Sequence, residues 1–189
     1  MRELEEVVRD ACKVFSSLRI RYVIVGGVSV NLLGRARSTF DVDAIADIDS
    51  VDAERLVKAF EENGFEVSRE DVEEALRARS HFSIHDSRSE YRIDCKGAYT
   101  VNEKRALSER RRLRVADTFI FVDSAENLIA MKLLYGSEQD ILDAESVYVR
   151  QRSRLNLRRI AARARGLGVL EEWTALRRRV DRILVGKKR

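Results

Sequence analysis

The sequence predicts an α+β fold: a small mixed sheet flanked by helices, followed by a helical C-terminal segment. Three observations carry that expectation. Short apolar runs, stopped by glycines or polar turns, alternate with helix-periodic stretches through the first two thirds of the chain. From Ser124 onward the apolar residues recur at helical spacing only. The 189 residues, 44% of them hydrophobic, can bury a core without disulfide or metal staples. Residues 1–123 are therefore expected to form the α/β core and 124–189 the helical C-terminal region.

The elements follow in order. Leu4, Val7, Val8, Ala11, Cys12, Phe15 and Leu18 form a helical stripe over residues 2–18. Arg21 to Val25 reads as a short buried strand stopped by Gly26-Gly27, and 28–33 as a short helix closed by Gly34. Thr39 to Ala46 is a second strand, Asp52 to Asn63 a helix ended by Gly64, and 65–67 a brief strand. Ser80 to His85 and Glu90 to Lys96 read as strands joined by a Ser/Arg/Asp turn, and Val101 to Glu109 as a helix. Leu113 to Val115 and Phe119 to Val122 flank a turn and predict a hairpin. Ser124 is placed to cap a helix running from Ala125 to Tyr135, ended by Gly136, with another helix from about Gln139 to Gln151. The remainder is helical, interrupted near Gly166-Leu167-Gly168. The chain contains no proline.

Composition removes several function classes. Cys12 and Cys95 are too few for a disulfide framework or a zinc site and read as buried thiols. No apolar run approaches the roughly 20 residues that span a bilayer, and the acidic, helix-patterned start of the chain is unlike a signal peptide. The expectation is a cytoplasmic protein with no membrane partner. Charged residues reach 36%, against about 25% in an average soluble protein. Arg150 to Arg189 holds 14 Arg/Lys against 3 Asp/Glu, a net of +11, so with a total of +4 the preceding residues carry −7. An acidic body with a basic end points to an anionic partner for that end.

The chemistry sits between residues 25 and 43. Along a strand side chains alternate, so Asp41 and Asp43 project from the same face, about 7 Å apart, while Phe40, Val42 and Ala44 face the other way. Paired carboxylates repel unless a cation lies between them. Hard oxygen donors suit Mg²⁺, and two such ions serve an in-line phosphoryl displacement. Gly26 and Gly27, without Cβ atoms, let backbone N–H groups at a helix start approach a triphosphate, with the Ser29 hydroxyl beside them. Arg37 and Thr39 share the parity of the two aspartates and line the same face if the strand begins early enough. Arg37 can then hold a phosphate by paired hydrogen bonds, or pair with Asp41 or Asp43 instead.

The run Gly26-Gly27-x-Ser29, then Gly34-x-x-Arg37-x-Thr39-x-Asp41-x-Asp43, resembles the nucleotidyltransferase superfamily that includes DNA polymerase β. It looks most like the prokaryotic AbiEii-like branch, which holds nucleotidyltransferase toxins. The resemblance covers roughly residues 20 to 148. It implies a polymerase β-like sheet and a third carboxylate on a later strand, which helps hold the catalytic metal and eases deprotonation of the acceptor hydroxyl. Asp94 is the residue so placed, with Asp86 as competitor. The resemblance also implies a phosphate-contacting lysine on the helix after Ser124, here Lys132. Gln139 stands where many relatives carry a second basic residue, and Asp140 and Asp143 brace the helix.

The other candidates carry less. His81 and His85 share a strand face without a third ligand nearby. Asp47 and Asp49 fall past the apolar run, in a loop. Gly166-Leu167-Gly168 lacks the third glycine of a dinucleotide fingerprint, and there is no Walker A run. The leading function is Mg²⁺-dependent transfer of a nucleoside monophosphate from a nucleoside triphosphate (ATP among the options) to an acceptor hydroxyl. Two Mg²⁺ sit on Asp41, Asp43 and Asp94, and phosphates on Gly26, Gly27, Ser29, Arg37, Thr39 and Lys132. The basic C-terminal segment and a second basic cluster at 104–114 favour RNA as acceptor, in a toxin-like setting with a cognate partner protein. Two other readings stand beside it: a non-catalytic nucleotide- or RNA-binding or toxin–antitoxin module on the same fold, and a small-molecule, antibiotic-type nucleotidyltransferase.

Overall fold

The computed structural model describes residues 2–48 and 53–186. Asp49, the start of the helix expected from Asp52, and Lys187, Lys188 and Arg189 lie outside the described residues. Contacts divide the chain into two compact units, one of residues 1–28 and 38–123, the other of 29–37 and 124–189.

The first unit is built on a seven-stranded mixed sheet of order β3-β4-β5-β2-β1-β7-β6. Its strands are β1 (Tyr22–Ile24), β2 (Asp41–Ala46), β3 (Phe65–Glu66), β4 (His81–Asp86), β5 (Arg92–Gly97), β6 (Arg111–Val115) and β7 (Thr118–Val122). The two central contacts of β2 differ in sense: antiparallel to β1, with Ile24 opposite Ala44, and parallel to β5, with Asp43 opposite Asp94. β1 also pairs in parallel with β7, Ile24 beside Val122.

The two faces of the sheet are covered differently. Helix α1 (Leu4–Ser17) buries Val7, Val8, Ala11, Cys12 and Phe15. The Phe15 ring stacks on Tyr22 at 5.3 Å and meets Phe60 of α3 (Ala53–Glu61) edge-on at 5.3 Å. Burial pushes the Cys12 thiol up to about 12, against a smaller lowering by the neighbouring Tyr22, and raises Cys95 as well. Both cysteines are thus neutral, packed thiols. On the opposite face Val23, Ile45 and Ala98 pack with Ala106 and Leu107 of α5 (Val101–Glu109). That face carries the odd-numbered residues of β2, and so Asp41 and Asp43.

One helix, α4 (Arg69–Ala78), was not singled out by the apolar pattern. Its signal is chemical: the Ser68 hydroxyl accepts from the Asp71 amide, and Glu70 and Asp71 enrich the first turn. The second strand is shorter than expected. β2 begins at Asp41, so alternation does not run back through Thr39 to Arg37, and the shared parity of those residues places neither on the aspartate face. Thr39 instead donates its hydroxyl to the Asp41 carbonyl at 3.3 Å.

The second unit is helical: α6 (Ala125–Tyr135), α7 (Glu138–Gln151), α8 (Leu157–Leu167) and α9 (Leu170–Gly186) pack with residues 29–37, which include the later turns of α2 (Gly26–Leu33). Ser124, Ser137 and Asn156 cap α6, α7 and α8, and Gly136 and Gly168 end α6 and α8 in the left-handed region at φ 72° and 76°. Gly34 follows α2 for a steric reason. A Cβ there would stand 2.4 Å from the Ser146 hydroxyl of α7. Tyr148 meets Trp173 edge-on at 5.3 Å in the core of this unit.

Candidate active site

Three carboxylates share the α5 face of the sheet by strand parity and register. Asp41 and Asp43 are two residues apart on β2, and Asp94 is the parallel register partner of Asp43 on β5. Neighbouring strands lie about 4.8 Å apart, so register alone sets Asp94 beside Asp43. Asp86, the competitor, is buried at the end of β4, where Arg2 and the Ser89 hydroxyl hold it.

The immediate partners of the acids are fixed. The Arg92 guanidinium lies 3.0 Å from Asp41 and 3.4 Å from Asp94. Ser83, opposite Asp94 on β4, donates its hydroxyl to that carboxylate at 2.7 Å. Arg92 and Asp94 are two residues apart on β5, whereas the Arg92–Asp41 and Ser83–Asp94 contacts are long-range and come from the pairing of β5 with β2 and of β4 with β5. The strand parity that groups His81, Ser83 and His85 could have pointed to Ser83. His81 and His85 are exposed on the same side of β4.

Asp43 reaches toward the start of α2. Gly26 has φ +60°, and a Cβ there would fall 1.9 Å from the Asp43 Oδ2. The glycine is required twice, by its left-handed backbone and by this close approach. The Val25 amide donates to the Asp43 carbonyl at 2.9 Å, which ties the strand end before α2 to the carboxylate strand. Gly27 and Ser29 follow in α2, both buried, Ser29 fully.

In the helical unit, the remaining predicted residues meet on one carboxylate. Arg37 grips Asp143 with two parallel hydrogen bonds of 3.0 Å each. Lys132 lies 2.7 Å from Asp140 and 3.0 Å from Asp143, and Gln139 donates to Asp143 at 2.8 Å. Burial raises the Asp143 carboxyl, but hydrogen bonds from Arg37, Lys132 and Gln139 outweigh it and hold the group below its ordinary range. Asp140 is lowered in the same way, against burial, by Lys132 and Ser137. Lys132 is raised despite burial, because both carboxylates favour its charged form. Arg37 thus has Asp143 as a carboxylate partner.

The basic C-terminal segment uses much of its charge internally. Arg152 and Arg177 pair with Asp181, and Arg179 with Glu145 at 2.6 Å. Arg163 is buried against the Asn127 side chain, and Arg150 donates to the Gly34 carbonyl.

The donor set around Asp41, Asp43 and Asp94 consists of hard oxygens on one face, which suits Mg²⁺. Among the described residues no three acidic, His or Cys side chains are already drawn together around a metal-sized space. Arg92 supplies the positive charge between Asp41 and Asp94. The identities and the shared face fit a divalent ion, with Arg92 beside two of the three carboxylates. No helix among the described residues is long and apolar enough to cross a membrane.

Solved structures share this fold. The antibiotic-resistance factor ANT(2'')-Ia superposes with a TM-score of 0.59 at 15% identity, covering 93% of this chain and 95% of its own. An antigenic nucleotidyltransferase-like protein from Paracoccidioides brasiliensis gives 0.60 at 16% identity, with 95% and 92% covered. The lincosamide antibiotic adenylyltransferase LnuA, solved with lincomycin bound, gives 0.50 at 16% identity, with 78% and 98% covered. Among curated proteins, none matches the chain. The family model described as "Nucleotidyltransferase of unknown function (DUF6036)" matches residues 2–177, and the chain belongs to that nucleotidyltransferase family.

Proposed function

We propose that the protein transfers a nucleoside monophosphate from a nucleoside triphosphate to a hydroxyl on RNA, with Mg²⁺ held by Asp41, Asp43 and Asp94. The observation that carries this reading is the register of Asp43 with Asp94 in adjacent parallel strands, with Asp41 on the same face and Gly26 against Asp43. The acceptor oxygen forms a bond to the α-phosphorus, the bond to the pyrophosphate oxygen breaks, and the hydroxyl proton passes to Asp94 or to water. When bound, Mg²⁺ neutralises phosphate charge and stabilises the attacking and leaving oxygens. The chain's own residues orient the reactants. Asp94 is positioned by Ser83 to face the acceptor hydroxyl, and the backbone amides at the start of α2, bare of Cβ at Gly26 and Gly27, receive phosphate oxygens. Thr39 adds to the nucleotide contacts in this reading, and ATP is the first triphosphate to test. The AbiEii-like placement within the superfamily belongs to the same proposal.

Incubation with labelled nucleoside triphosphates, Mg²⁺ and total RNA tests it. Wild type labels RNA and the Asp41→Asn/Asp43→Asn chain does not; equal labelling by both overturns the reading. A toxin role further requires growth arrest on expression of the wild type but not of the double variant.

A second reading, transfer to a small molecule, is favoured by one feature. A recess of about 360 Å³ beside Ser83 and His85 is lined by Glu61, Glu66 and Asp71, which suits a cationic acceptor. ANT(2'')-Ia has been solved with adenylyl-2''-tobramycin, so the same assay run with amino sugars in place of RNA separates the two acceptors.

A further inference from the structure

The outer hairpin of the sheet carries a surface that the chemistry above does not use. Between Lys104 and Phe121 the chain places six cations (Lys104, Arg105, Arg110, Arg111, Arg112 and Arg114) against two acids, Glu109 and Asp117. β6 is an outermost strand, so one of its backbone edges has no strand partner. Arg111, Arg112 and Arg114 are exposed along it, and Lys104 and Arg105 are exposed on α5. No carboxylate among the described residues forms an ion pair with any of these five. Asp117 turns to Arg9 at 3.9 Å. The arginines of the C-terminal helices differ, since several are bound by Asp181, Glu145, Asn127 and Gly34.

Aromatic rings lie among the cations. Arg112 stands opposite Phe121 and Arg114 opposite Phe119 in the hairpin register. The Arg112 guanidinium lies 3.8 Å from the centre of the Phe119 ring, and that ring remains 50% exposed. Arg110, just past α5, caps Phe121 at 4.7 Å.

We propose that the β6–β7 hairpin, with the end of α5, is a docking surface for single-stranded nucleic acid. Its guanidinium groups neutralise the phosphate backbone, and the Arg112–Phe119 stack receives a base. An exposed ring within an unpaired cationic row fits a strand with π-faces, whereas an acidic protein needs the charge but not the ring. The proposal rests on the RNA-acceptor reading only for what the strand is brought to; binding itself needs neither nucleotide nor metal.

The test is fluorescence anisotropy of a labelled oligouridylate with the full chain, in chelator and without triphosphate, across a salt series. Wild type binds, and the logarithm of its affinity falls linearly with that of salt concentration. Arg111→Gln/Arg112→Gln/Arg114→Gln lowers that slope by about 2, from roughly 0.7 per lost phosphate contact, and weakens binding more than about tenfold at low salt. Phe119→Ala weakens binding on the order of tenfold with the slope unchanged. Arg158→Gln/Arg165→Gln in α8 leaves both unchanged. These positions are exposed, and thermal melting verifies that each variant is folded. Equal affinity of the triple variant and wild type overturns the proposal. So does loss confined to the α8 variant, or displacement by polyglutamate with no effect of Phe119→Ala, which would make the surface a protein-binding one. A chain that labels RNA but ignores the oligonucleotide overturns this surface and leaves nucleotidyl transfer standing, and the converse result separates them the other way.

Discussion

The Arg92 guanidinium sits 3.0 Å from the carboxylate of Asp41 and 3.4 Å from that of Asp94, so one side chain bridges two strands of the acidic face. It does there what a divalent ion would do: it screens carboxylates that otherwise repel. The pair is solvent-exposed, with Arg92 46% and Asp41 45% accessible, so the bridge is weak, of the order of 0.2–1 kcal/mol. Removing it therefore frees the acids at little cost to the fold. Arg92→Gln is expected to tighten binding of Mn²⁺, used as a calorimetric stand-in for Mg²⁺, by up to about fivefold with an unchanged melting temperature. An unchanged or weakened metal affinity would show that Arg92 does not compete with the ion.

Gly26 predicts a sharper effect. Alanine there meets both the left-handed backbone and the Asp43 Oδ2 at 1.9 Å. The backbone term costs about 1–2 kcal/mol, and relief of the contact must come from rotating Asp43 away. Gly26→Ala should lower stability by about that amount in urea unfolding and also abolish metal binding. Loss of stability with metal affinity intact would mean that Asp43 tolerates the displacement.

Much of this arrangement can be read from residue order, and the rest could not be. The seven strands follow from short apolar runs and their punctuation, and the common face of Asp41 and Asp43 follows from alternation alone. What pairs with what is different. Nothing local states that β5 lies beside β2 with Asp94 opposite Asp43, or that Ser83 completes the row. Arg37 illustrates the limit. The strand begins only at Asp41, so alternation does not fix where Arg37 points, and nothing local announces that its guanidinium grips a carboxylate 106 positions away. Helix α4 was hidden for another reason: the run is mostly charged and buries only Val72 and Ala75, so its clearest marks are the Ser68 cap and the acidic first turn.

Asp143 holds the helical unit by joining the buried Lys132 to the half-buried Arg37. Its side chain is 3% accessible, and Lys132 beside it 9%. Asp143→Asn removes the charge and keeps the shape, which should cost about 3 kcal/mol, as for other broken buried pairs. The pH dependence has a definite sign. Because Asp143 and Asp140 are held below the ordinary carboxyl range, the folded state binds fewer protons than the unfolded one in mild acid. Their contribution is complete above the ordinary carboxyl value and disappears as pH falls through the depressed ones. Lys132, raised in the fold, contributes below the ordinary ammonium value and is lost as pH rises through its own. Urea titrations across pH should therefore show a flatter acid limb for Asp143→Asn than for wild type. Parallel limbs would remove Asp143 from this role.

Ser83 is a positioning residue: it touches Asp94 and, in the proposed reaction, none of the reacting atoms. Its hydroxyl, 2.7 Å from the carboxylate, fixes Asp94 Oδ1, while Oδ2, which the proposed reaction turns toward the acceptor, has Arg92 at 3.4 Å. A hydrogen bond to a charged group is worth about 1.5–3 kcal/mol when buried, less here because Asp94 is 24% accessible. Ser83→Ala should thus lower kcat on the order of tenfold and leave KM for the triphosphate unchanged, since binding of phosphates is assigned elsewhere. Ser83→Thr, which keeps the hydroxyl on a strand that favours β-branched residues, should restore most of the rate. A matching loss in the threonine variant, or a rise in KM without a fall in kcat, would place Ser83 in substrate binding or general packing instead.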